Sequence, residues 1–179
     1  MKHERILVAE DDARWSSELT RQTSVELIVV ETLSKAMAML DGRRRWTGAI
    51  FDRYLIGGNP SFSDRLANDA GFILAVAFLQ KFPDRRVCVC TGDPDMMAVP
   101  AAFIPLVSSD NCTYLYKGRA QAAARALRFV IEGKRTKFTV DNLLDHLVLQ
   151  PNMFGLGLNL RTIISSIIDG CRSRSSKKR

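Results

Sequence analysis

Five short apolar runs alternate with helix-compatible stretches over residues 5–132, and four of the five run straight into chemically capable polar residues. Residues 5–9 (RILVA) form the first run, followed by 25–30 (VELIVV), 49–51, 87–91 and 113–116. Between them, 13–23, 33–40, 72–82 and 120–132 read as helices, the third stopped by Pro83 and the last rich in alanine and basic residues. Pro94, Pro100 and Pro105 leave no room for a long helix before the fifth run, where one or two short turns are expected. Strands alternating with helices predict an α/β fold, a doubly wound parallel sheet with right-handed crossovers. Strands that are apolar throughout suit a parallel sheet covered on both faces.

The polar residues fall where such a sheet binds ligands. The first strand ends in Glu10-Asp11-Asp12, the third in Asp52, the fourth in Thr91-Gly92 and the fifth in Lys117-Gly118. The carboxyl ends of strands in a doubly wound sheet share one rim. Two carboxylates about 4 Å apart repel by roughly 4 kcal/mol at an effective dielectric near 20, so a cluster of them demands a cation or a proton. Oxygen-only ligands point to Mg²⁺, which uses one or two carboxylates together with water and phosphate oxygens. An aspartate beside Mg²⁺ can attack phosphorus, and a hydroxyl and an amine at the same rim can hold the phosphoryl oxygens. Asp12 reads instead as the cap of the first helix.

The stretches ILVAEDDA, GAIFDRYL, VCVCTGD and YLYKG, in this order and in these strand contexts, resemble the receiver domains of two-component response regulators, the CheY-like family. The resemblance spans roughly residues 4–132. It implies a flavodoxin-like five-stranded parallel sheet of order 2-1-3-4-5. By position it makes Glu10 and Asp11 the acid pair that binds Mg²⁺, Asp52 the phosphoryl acceptor and a further ligand, and Tyr54 the donor of a backbone carbonyl to the metal. Thr91 and Lys117 match the phosphate-binding hydroxyl and lysine, and Tyr114 matches the aromatic switch that works with Thr91. The function implied is Mg²⁺-dependent phosphoryl acceptance from a histidine kinase or phosphotransfer protein, switching interactions with a downstream protein or a second copy. A conventional enzyme is not implied. A phosphatase acting on small esters commonly needs a second acid after the nucleophile, and Asp52-Arg53-Tyr54 lacks it. A receiver that keeps the fold but takes no phosphate, serving as an interaction module, is the alternative for the whole set.

The chain departs from the family in four places. Gly118 stands where a cis proline usually follows the lysine. The loop from 57 to 71 (GGNPSFSDRLANDAG) is longer than usual and lies beside the acid site. Tyr54 is bulky enough to obstruct an attacking water, and the fourth helix is broken by prolines.

Composition sets the remaining bounds. Of the net charge of +7, five positive charges sit in the last nine residues, CRSRSSKKR, so the body is nearly neutral and the tail basic. The division expected is a receiver domain over 1–133, a helical extension over 134–170 and a disordered basic tail over 171–179. Within the extension, 140–149 and 160–169 read as helices, the second with a stripe of Ile163, Ile164, Ile167 and Ile168. That segment is read as an interaction element, with DNA binding through the helices and basic tail as the alternative. The longest apolar run, 72–79, is too short to span a bilayer, and acids interrupt the apolar segment near the start, so a soluble cytoplasmic protein is expected. Cys88, Cys90, Cys112 and Cys171 lack finger spacing and read as reduced cysteines, Cys88 and Cys90 being assigned to opposite faces of their strand. His3 and His146 read as structural or solvated.

Overall fold

The computed structural model describes residues 4–55 and 69–132. Five strands, β1 (Arg5–Ala9), β2 (Glu26–Val30), β3 (Gly48–Asp52), β4 (Arg86–Thr91) and β5 (Cys112–Tyr116), form one parallel sheet in the order β2-β1-β3-β4-β5. This is the doubly wound arrangement and the strand order expected from the sequence. The crossovers carry helices α1 (Ala13–Arg21), α2 (Leu33–Asp41), α3 (Ala70–Lys81) and the single turn α4 (Ile104–Val107), and α5 (Ala122–Glu132) follows the last strand.

Alternation along the strands divides the core in two. Leu7, Ala9, Ala49, Phe51, Val87 and Val89 face α2, α3 and α4, whereas Ile6, Val8, Ile50, Cys88 and Cys90 face α1 and α5. All five residues of the central β3 are buried. Cys88 and Cys90 correct one expectation: they lie on the same face, with their Sγ atoms 3.5 Å apart. Residues two apart in a strand point the same way, and it is Val89 that turns to the other side. Both are free buried thiols, as is Cys112.

Helix character follows position. α1 is amphipathic, burying Trp15 and Leu19, and it begins where the Asp12 carboxylate accepts the Arg14 amide at 2.8 Å, the cap anticipated for this residue. It ends before residue 23 because the Thr23 hydroxyl accepts the Val25 amide at 3.1 Å and turns the chain toward β2. α3 is apolar almost all round and packs on β3, β4 and α2. Its Gly71 is required by close approach, since a Cβ there would stand 2.8 Å from both the Asp52 carbonyl carbon and Arg53 Cα. Between β4 and β5 the prolines give short turns as expected: 3₁₀ turns at Pro94–Met97 and Ala101–Phe103, then α4. α5 starts at Ala122 rather than 120, preceded by Gln121 in the left-handed region at φ 61°. No peptide among the described residues is cis, so the Lys117–Gly118 bond is trans.

The expected boundary near 133, the helical extension, the basic tail, most of the long loop, Cys171, His3 and His146 lie outside the described residues. No described helix is long and apolar enough to cross a membrane.

Candidate functional site

Strand register brings the polar strand ends together. Ala9 pairs with Phe51, so Glu10 follows beside Asp52. Asp52 pairs with Cys90, so Thr91 stands one residue on, and Thr91 pairs with Tyr116, which precedes Lys117. Lys117 is then drawn inward by its amide, which donates to the Thr91 carbonyl at 2.8 Å. Its ammonium reaches Asp52 Oδ2 at 2.7 Å and Glu10 Oε1 at 2.8 Å, with Glu10 Oε2 at 2.6 Å. Trp15 contributes its ring face, 5.8 Å from the same nitrogen.

Glu10 and Asp52 are buried, and Asp11 is more open to solvent. One carboxylate oxygen from each of the three lies within 4.8 Å of the others. Burial pushes the Glu10 carboxyl up to about 7, aided by the neighbouring Asp52 charge and opposed by Lys117. Asp52 is also raised by burial, with Lys117 and the Tyr54 amide pulling against it. Burial alone would lower Lys117, but the Asp52 and Glu10 charges outweigh it and raise the ammonium. Three acids facing one amine leave an excess of negative charge that a divalent cation would relieve. The donor set is all oxygen, as Mg²⁺ prefers, and its three carboxylates lie close enough together to share one ion. The residues present therefore fit the ion.

The other sequence-derived positions fall around this cluster. The Tyr54 amide lies 3.4 Å from Asp52 Oδ1, and its side chain is exposed. Thr91 is buried, and its hydroxyl accepts the Asp93 amide at 3.2 Å. Tyr114 turns to the α3 side of the sheet, its ring centroid 5.1 Å from that of Phe72 and its hydroxyl donating to the Met96 carbonyl at 2.6 Å. Burial raises the Tyr114 phenol, and the neighbouring Arg53 and Thr91 pull it back down.

Sequence reasoning missed Arg53 and Asp69. Arg53 is buried and ion-paired with Asp69, its Nη2 2.9 Å from Asp69 Oδ1. Burial raises the Asp69 carboxyl even though Arg53 pulls it down. The available signal was an arginine inside the apolar stretch IFDRYLI, a place where a charge needs a buried partner.

No family model matches the sequence, and no curated protein matches it. Solved structures do match. A response regulator receiver protein from Sinorhizobium medicae is similar at 19% identity, with a TM-score of 0.53 over 73% of this chain and 94% of that one. A signal receiver domain of an HD domain-containing protein from Pseudomonas fluorescens is similar at 19% identity, with a TM-score of 0.52 over 74% of this chain and 89% of that one. The chain has the receiver-domain fold. Within a receiver fold the carboxyl rim of the sheet is the ligand-binding edge, and Glu10, Asp11, Asp52, Thr91 and Lys117 all stand on it.

Proposed function

We propose that this receiver fold is a phosphoryl-accepting signalling module, with Asp52 as the acceptor. The observation that carries the reading is the Lys117 ammonium held between Asp52 and Glu10, with the Asp11 carboxylate beside them. The names of the two similar structures, a response regulator receiver protein and a signal receiver domain, support the same reading.

In the step proposed, an Asp52 oxygen attacks the phosphorus of a phosphohistidine on a histidine kinase or phosphotransfer protein. The new P–O bond forms as the P–N bond breaks, and the imidazole nitrogen keeps the electron pair and takes a proton from solvent. Lys117 loses part of its pairing with Asp52 and turns to a phosphoryl oxygen, while the Thr91 hydroxyl donates to another. Glu10, Asp11 and Asp52 would hold Mg²⁺, with the Tyr54 carbonyl as a further ligand, and the bound ion would supply neutralising charge to the transferring phosphoryl group. Phosphorylation adds charge and acceptor oxygens at the rim, favouring the arrangement of Thr91 and Tyr114 that binds them best and so switching a partner-binding surface.

Incubation with acetyl phosphate and Mg²⁺, followed by intact-mass measurement, tests this. One phosphoryl group per chain is expected in the wild type and none in Asp52→Asn. An unlabelled wild type, or an equally labelled variant, refutes the assignment.

A further inference from the structure

Arg53 directly follows the proposed acceptor, and its backbone is fixed on both sides. Its amide donates to the Cys90 carbonyl at 2.7 Å, and its carbonyl accepts the Gly71 amide at 3.2 Å. From this fixed base the side chain runs away from the acid cluster, and 6% of the residue is exposed. Nε donates to Asp69 Oδ1 at 3.0 Å. Nη1 donates to the Ala98 carbonyl at 2.8 Å, to the Tyr114 hydroxyl at 3.1 Å and to the Met96 carbonyl. The guanidinium also lies over the rings of Phe72 and Tyr114, at 5.4 and 5.9 Å from their centroids.

The segment it grips lacks a buried anchor of its own. The 3₁₀ turn Pro94–Met97 contains no buried residue, so the hydrophobic effect does little to place it. The Asp93 carboxylate caps its first turn by accepting the Asp95 amide at 2.9 Å, and its far end is held by carbonyl contacts, with Arg53 and the Tyr114 hydroxyl sharing the Met96 carbonyl between them. A planar group with five donors can serve a carboxylate, two carbonyls and a phenol at once, whereas an ammonium offers three donors at one point.

We propose that Arg53 is a positioning residue that ties residues 95–98 and the Tyr114 ring to the strand end bearing Asp52, so that a change at Asp52 reaches the 95–98 surface. Transmission rests on the phosphoryl reading above. The holding role does not.

Backbone ¹⁵N relaxation on the full chain tests the holding role directly. In the wild type the amides of 95–98 should be about as ordered as the strands, with S² near 0.85, and in Arg53→Met they should fall below about 0.6 while β1–β5 are unchanged. Arg53→Lys, which keeps the charge but not the planar fork, should lie between the two and also serves if the methionine variant fails to fold. Unchanged order at 95–98, or equal loosening of all five strands, overturns the role. Acetyl phosphate with Mg²⁺ then tests transmission. Labelling should shift the amides of Asp52, Thr91, Lys117 and 95–98 in the wild type, and those of 95–98 much less in the variants. An equal response at 95–98 in a labelled variant overturns transmission alone. A wild type that accepts no phosphoryl group overturns transmission together with the phosphoryl reading, and the relaxation result still decides the holding role.

Discussion

Lys117 Nζ, at the end of β5, lies 2.7 Å from Asp52 Oδ2 at the end of β3, and the same nitrogen lies 2.6 Å from Glu10 Oε2 at the end of β1. One ammonium thus compensates two buried carboxylates contributed by different strands. Removing one partner of a buried ion pair costs about 3–5 kcal/mol, because the charge left behind is unpaired, unless that charge takes up a proton.

Lys117→Met should therefore destabilise the protein in a pH-dependent way. Without the amine, the folded-state carboxyls of Glu10 and Asp52 rise further. A carboxyl raised on folding gives its full stability below its unfolded value, and loses it as pH climbs through the folded value. The variant should be close to wild type near pH 4 and less stable by about 3 kcal/mol near pH 8 without divalent cations. Urea titrations at both pH values measure this, and an equal loss at each would contradict it.

Glu10 makes the same argument with an opposite sign for its own replacement. Its carboxyl stands at about 7 instead of 4.5, raised by burial and by Asp52. In metal-free protein the stability it contributes is present below pH 4.5 and is lost between 4.5 and about 7. Glu10→Gln has no proton to lose, so above pH 7 it should be the more stable protein, by up to about 3 kcal/mol. Added Mg²⁺ should reverse the order by stabilising the wild type in preference. Thermal melts in chelator and in Mg²⁺ at pH 4.5, 6 and 7.5 test both statements, and an order independent of pH and Mg²⁺ would refute them.

The strands and their rim were legible in the sequence because apolar runs and their polar endings are local signals, whereas the strand order came only from the resemblance to receiver domains. Ile6–Ala9 and Ile50–Phe51 announce buried strands, and Glu10, Asp52, Thr91 and Lys117 announce where those strands stop. The apolar surroundings of Arg53 signalled a buried partner, but its pairing with Asp69 was not legible, since it depends on where α3 returns to the sheet. Nor did periodicity show that Tyr114 shares the Met96 carbonyl with Arg53, a contact between β5 and the turn that opens at Pro94. The assignment of Cys88 and Cys90 to opposite faces misapplied strand alternation, which puts residues two apart on the same face.

Gly71 connects the fold to the proposed acceptor. A Cβ at this position would stand 2.8 Å from Arg53 Cα and from the Asp52 carbonyl carbon, and neither backbone atom can yield as a flexible side chain would. Alanine gains up to about 1 kcal/mol in helix propensity, but forcing α3 off β3 should cost about 1–3 kcal/mol. Gly71→Ala should be net destabilising and should slow labelling of Asp52 by displacing its strand end. A variant as stable as wild type with unchanged labelling would contradict the packing argument.

Asp11 and Asp12 are neighbours of identical chemistry, and their surroundings give them different expected phenotypes. The Asp12 carboxylate accepts the Arg14 amide at 2.8 Å and caps α1, while its own amide donates to Glu10 Oε1 at 3.1 Å. Asp11 places an oxygen within 4.8 Å of those of Glu10 and Asp52. Asp12→Ala should lower stability by about 1 kcal/mol, the usual cost of a lost N-cap, and leave Mg²⁺ affinity within about twofold. Asp11→Ala removes one carboxylate of the proposed Mg²⁺ site, so it should weaken Mg²⁺ binding by about tenfold or more with little loss of stability. Calorimetric Mg²⁺ titration beside urea denaturation of both variants separates the two roles. If Asp12→Ala weakened Mg²⁺ as much as Asp11→Ala, the second acid of the pair would have to be reassigned.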